Sequence, residues 1–164
     1  MRRLTALLAL LLLAACYQVD SDTVPASASL RVDGIRDGRY ARPDGVEIAV
    51  RWNASEKLYD VTVKGAEPGR AGTAKAARVG SGIYLVQYFD AARLSVLAKV
   101  QGDDIVLMTP TKEAEARLLK AHGLSIRPGP VNSLIGSAGS VINYFKDLAA
   151  SGDFTEGARV TRLP

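Results

Sequence analysis

Few residues in this 164-residue chain are equipped for covalent or metal chemistry, and their spacing limits what they can do. Cys16 is the only cysteine and His122 the only histidine. One thiol cannot close an intrachain disulfide, and one imidazole without further thiols excludes zinc sites built from several Cys and His ligands. His122 stands near Thr111 and Ser125 in sequence, but no catalytic motif joins them. Its place at the end of a predicted helix suits a capping role toward the last carbonyls. The acids offer one enzyme reading, a carboxylate pair of Glu47 with Asp60 or Asp90 for acid/base hydrolysis, provided that separate strands bring them together. Gly102-Asp103-Asp104 supplies oxygen ligands without the rest of a calcium loop, and Gly-Asp predicts a tight type II′ turn instead. Gly80-Ser81-Gly82 lacks both the three-glycine dinucleotide fingerprint and a phosphate-loop lysine. These residues predict no catalytic group, no metal and no cofactor.

The aromatic residues are the stronger lead. Trp52, Tyr59, Tyr84, Tyr88 and Phe89 all fall in predicted strands, so several could converge on one concave sheet face and meet an apolar, glycan or peptide ligand. Trp52, Tyr59, Tyr84 and Tyr88 are therefore the candidate ligand-face residues. The same residue types are also ordinary core and cross-strand material. Tyr84 and Tyr88 share a face with Val86, opposite Ile83, Leu85 and Phe89, which predicts a strand covered on both sides.

The elements that must position them follow from periodicity. Residues 46–52 place Val46, Ile48, Val50 and Trp52 on one face, with Glu47 and Arg51 on the other, and residues 58–64 alternate in the same way. Together they predict a hairpin. Further strands are expected over 73–79, 83–89, 94–100 and 105–108, with Gly-Asp turning between the last two. After Pro110 the period changes. Thr111 caps a helix with Ala114, Leu118 and Ala121 on one stripe, Gly123 ends it, and a second helix over 137–150 presents Val141, Tyr144, Phe145 and Leu148. Residues 126–136 contain Pro128, Gly129 and Pro130 and predict a crossing or loop. Residues 158–163 predict an edge strand anchored by Val160. The fold class is α+β: an antiparallel meander or curled half-barrel of about five to seven strands, two helices, and that edge strand.

The chain opens with Arg2 and Arg3, and residues 4–15 form an apolar run ending in Ala14 and Ala15, which is signal-peptide architecture. As a helix this run would rise roughly 18 Å at ~1.5 Å per residue, well short of a ~30 Å hydrocarbon core. Leu13-Ala14-Ala15-Cys16 resembles the lipobox of bacterial lipoproteins. The resemblance covers about a tenth of the chain. It implies cleavage before Cys16, diacylglycerol on the Cys16 sulfur and a further acyl chain, such as palmitate, on the new amino terminus. Each buried methylene contributes ~0.8 kcal/mol, and more than one lipid signal makes anchoring stable. Tyr17, rather than Asp, after the cysteine implies sorting to the outer membrane facing the periplasm, with the inner membrane as the alternative.

Three segments follow: a signal peptide at 1–15, a lipidated N-terminus and flexible tether at 16–29, and a single α+β periplasmic domain at 30–164. Loss of the signal removes Arg2 and Arg3 and lowers the formal charge from +4 to +2, which weakens any case for nucleic acid. Arg31, Arg36, Arg39 and Arg42 are interleaved with Asp33, Asp37 and Asp44, as on a solvated face. The expected function is a lipid-anchored envelope protein with a non-enzymatic binding or scaffolding domain. Its expected partners are the membrane and an envelope protein or cell-wall component, not nucleic acid. A periplasmic inhibitor or small-ligand carrier is the alternative, and the carboxylate hydrolase comes third.

Overall fold

The computed structural model describes residues 16–65 and 70–164; residues 1–15, with the expected signal peptide and the first three residues of the lipobox-like motif, lie outside them. In chain order the elements are β1 (Tyr17–Gln18), β2 (Gly38–Ala41), β3 (Glu47–Asn53), β4 (Leu58–Lys64), β5 (Arg70–Gly80), β6 (Ile83–Phe89), β7 (Arg93–Gln101) and β8 (Asp104–Pro110). They continue with α1 (Lys112–Ala121), β9 (Ser125–Arg127), β10 (Ser133–Ile135), α2 (Ala138–Ser151) and β11 (Phe154–Arg162).

The α+β class holds, but the half-barrel is corrected to a closed barrel of eight strands. β2 to β8 run as one antiparallel meander, and β11 pairs with β8 on one side and β2 on the other. The expected edge strand is therefore the strand that closes the barrel. Its sequence hides this, because a bulge between Glu156 and Arg159 interrupts its alternation and Val160 is its only buried residue. Closure satisfies both free edges of the meander without a partner chain.

Alternation sorts the strand residues into two cores. Ile48, Val50 and Trp52 of β3 point inward, as do Tyr59, Val61 and Val63 of β4, and with Tyr84 and Val86 of β6 they form an inner cluster. The opposite faces of β5 to β8, with Ala77, Leu85, Leu97, Val106 and Met108, pack outward against Val141, Tyr144, Phe145 and Leu148 of α2 and Ala114 and Leu118 of α1. The alanines of β5 have a clear reason. Ala74 faces Tyr59 and Tyr88 across the sheet, while Gly80 and Ala149 come together under α2.

The helix ends obey local chemistry. Thr111 accepts a hydrogen bond from Ala114 N–H at 3.2 Å, and Ser137 accepts one from Ser140 N–H at 3.1 Å. Gly152 ends α2 at φ 71°. The expected loop at 126–136 instead contributes β9 and β10, a small antiparallel pair that extends the sheet through β1. Short strands between prolines carry too little periodicity to stand out.

The tether is also corrected. Tyr17 and Val19 are buried, Gln18 N–H donates to Asn132 O at 2.8 Å and Val19 N–H to Arg93 O at 3.0 Å. Gln87 then holds the following turn: its Oε1 accepts from Thr23 N–H at 2.8 Å and Val24 N–H at 3.2 Å, and its Nε2 donates to Ser21 O at 2.9 Å. A polar segment stays on the domain because a fully buried side chain satisfies its backbone.

Candidate functional site

The barrel interior holds a partly open cavity of about 180 Å³ whose walls are apolar throughout, Ile35, Val50, Tyr59, Tyr88, Leu107 and Val160 among them. A larger depression of about 360 Å³ lies between residues 18–20 and 89–93, but its lining is mainly polar. Its wholly apolar lining, drawn from strands all round the barrel, makes the interior cavity the better small-molecule site. At about 30 Å³ per water, its volume equals roughly six waters, yet it offers none the two to four polar partners an ordered water requires.

One end of the barrel is covered by residues 30–37. Leu30 N–H donates to Ala76 O at 2.9 Å, Val32 N–H donates to the Tyr59 hydroxyl at 2.7 Å, and Ile35 forms part of the cavity wall. Ion pairs tie this crossing to the rim: Arg36 to Asp103 at 2.6 Å and Arg78 to Asp33 at 3.2 Å. Both are exposed, and such pairs contribute little each.

Arg162 stands at the same end. It follows Val160 on the inward side of β11, and its guanidinium lies where a side chain at Gly38 would be, about 3.5 Å from an ideal Cβ. Gly38 itself has φ 148°, a conformation that only glycine readily adopts, and is opposite the cavity residue Val50. Arg162 Nε is buried without a hydrogen-bond partner, and among the described residues no acid pairs with this side chain. Arg159 on the outer side of the same strand is bound to Asp104 at 2.5 Å and Glu156 at 3.1 Å.

The aromatic candidates all face inward, in different settings. Tyr59 and Tyr88 line the cavity, Trp52 packs edge-on to Tyr59 with centroids 4.9 Å apart, and Tyr84 accepts a hydrogen bond from Arg78 at 3.0 Å. Burial raises the Tyr59 pKa, and burial followed by the nearby Asp90 carboxylate raises that of Tyr88. The Tyr88 hydroxyl is buried without a hydrogen-bond partner.

The acid pair does not assemble. Glu47 pairs with Arg39 at 3.6 Å, Asp60 with Arg51 at 3.0 Å, and Asp90 with Arg70 at 3.4 Å. Glu47 and Asp60 lie opposite Lys64 and Arg51 respectively, four residues apart along β3. His122 is the C-cap of α1, and its Nε2 meets Asp147 Oδ2 of α2 at 2.9 Å. Gly102 takes φ 61° in the two-residue turn between Gln101 and Asp104, as the hairpin requires, and of Gly80-Ser81-Gly82 the first residue ends β5 and the other two make the connection to β6. Among the described residues no group of three or more His, Cys, Asp and Glu is placed to hold a metal ion, and no helix is long and apolar enough to cross a membrane.

Cys16 is a free thiol immediately before β1. Burial pushes its pKa up to about 11, against a smaller opposing pull from Arg42. Leu30, Val32, Ile35 and Arg162 belong to the barrel interior without being singled out by the sequence pattern. The first three are spaced irregularly among charged residues, and Arg162 shares the parity of Val160, which is the one signal that could have found it. The chain matches no family model, no curated protein and no solved structure.

Proposed function

We propose that this is a lipid-anchored envelope protein whose barrel takes up a small apolar ligand without chemical conversion. The apolar cavity in the barrel interior carries the binding part of this reading. Its volume lies below the ~300–1,000 Å³ of drug-sized pockets, which favours one slender chain or small ring over a complete diacyl lipid. The small-ligand carrier is thereby favoured over a scaffold or inhibitor acting through the outer wall.

The signal-like segment and Cys16 support the anchor, with the outer membrane as its destination and the barrel facing the periplasm. Tyr17 is 2 % exposed, so lipid on Cys16 would hold the barrel directly against the headgroups. Cys16→Ser is expected to abolish acyl labelling and release the chain from membranes; unchanged labelling would overturn the anchor. The ligand reading is tested with octan-1-ol, an uncharged slender probe, by equilibrium dialysis of the chain in nanodiscs against empty nanodiscs. Saturable uptake of one molecule per chain is expected. No uptake beyond the empty discs would overturn it.

A further inference from the structure

We infer that Arg162 selects a single-chain amphiphile with an anionic carboxylate head, its tail in the barrel cavity. This rests on the lumen being the ligand site and adds the class of ligand. The cavity wall supplies no charge, but its neighbour does: the Arg162 guanidinium lies over Gly38, opposite the cavity residue Val50, and follows Val160 on the inward side of β11. The surrounding charges are already engaged. Arg36 holds Asp103, Arg78 holds Asp33 and the Tyr84 hydroxyl, and Arg159 holds Asp104 on the outer side. Arg162 pairs with no acid among the described residues, and its Nε is buried without an acceptor, whereas Lys57, the other unpaired cation at this end, is exposed to water.

A partly buried guanidinium without a counter-ion is unfavourable, and a carboxylate is the group whose two oxygens match its fork. A carboxylate at Gly38 would remain beside the rim while its hydrocarbon chain ran past Val50 and Val160. A cavity of about 180 Å³ accommodates a short chain, not two long ones. An uncharged ligand of equal length would fill the same cavity and leave Arg162 unanswered.

The test compares octanoate with octan-1-ol in nanodiscs, for the native chain, Arg162→Met and Arg162→Lys. Octanoate should bind about tenfold or more tightly than the alcohol in the native chain, Arg162→Met should erase that preference while retaining the alcohol, and Arg162→Lys should lie between. Thermal unfolding verifies that each variant is folded. Should Arg162→Met not fold, the lysine variant decides, since loss of the fork must weaken octanoate several-fold with the alcohol unchanged. Equal binding of the two probes, or a preference that survives these substitutions, overturns the role of Arg162 and leaves the lumen intact as a site. Binding of neither probe overturns the lumen reading and this inference with it.

Discussion

The hydroxyl of Tyr17 donates a hydrogen bond to Glu115 Oε1, joining the first strand to α1 across 98 positions of chain. The Tyr17 ring also meets Tyr144 edge-on, with centroids 6.0 Å apart, and Phe145 at 6.1 Å. The residue immediately after Cys16 is thus a core residue. Tyr17→Ala should destabilise the fold by about 3–5 kcal/mol, as for other buried aromatics, and Tyr17→Phe by about 1–3 kcal/mol through the unanswered carboxylate. Urea unfolding with unchanged slope would measure both.

Gln87 offers a test of what keeps residues 20–25 on the barrel. It is fully buried and serves two backbone N–H groups and one carbonyl of that segment. Gln87→Leu would keep the volume and leave those groups without partners, at about 1–3 kcal/mol for each group that stays buried. The segment should therefore detach toward water. Limited proteolysis is expected to cut the variant between residues 20 and 25, and faster amide exchange at Thr23 and Val24 would report the same release.

Local alternation made much of the barrel legible: β4 and β6 coincide with the expected 58–64 and 83–89, Thr111 caps its helix as expected, and the second expected helix over 137–150 matches α2, with Ser137 as its N-cap. Closure was not legible because it depends on β11 pairing with β2 and β8 far away in sequence, and only Val160 of that strand is buried. Residues 17–24 looked like a tether because their order rests on polar partners, Gln87 and Ser95, that no hydrophobic period reveals. The aromatic face was visible in part. Tyr59 and Tyr88 do line the cavity, but the crossing that delivers Ile35 is embedded in charged residues and has no period of its own.

Alkaline pH should loosen the helical side of the molecule first. Burial raises the pKa of Tyr17, with Tyr144 and Glu115 adding to it, and burial pushes that of Tyr144 up to about 12. For a phenol this favours the neutral form in the fold. The associated stability is complete below the unfolded value of about 10 and declines as pH rises from there toward the folded values. Each such tyrosine adds about 1.4 kcal/mol per pH unit to the decline in that window. Denaturant unfolding from pH 8 to 11.5 should be flat at first and then fall. Tyr144→Phe should make the fall shallower.

Two glycines predict opposite outcomes for the same substitution. An ideal Cβ at Gly72 would stand 2.8 Å from the Tyr88 hydroxyl and closer still to the Phe89 carbonyl oxygen, which is backbone and cannot swing aside. Gly72→Ala must therefore part β5 from β6 at the cavity or move the Tyr88 ring, and should cost about 1–3 kcal/mol. Gly139, in the first turn of α2, has no atom within 4 Å of the same added carbon and an ordinary helical φ. There alanine lowers the entropy of the unfolded chain and raises helix propensity, so Gly139→Ala should stabilise by about 0.4–1 kcal/mol. Thermal unfolding of the two variants should move the midpoint in opposite directions. Octan-1-ol uptake should weaken in Gly72→Ala alone, because only that change disturbs a wall of the cavity.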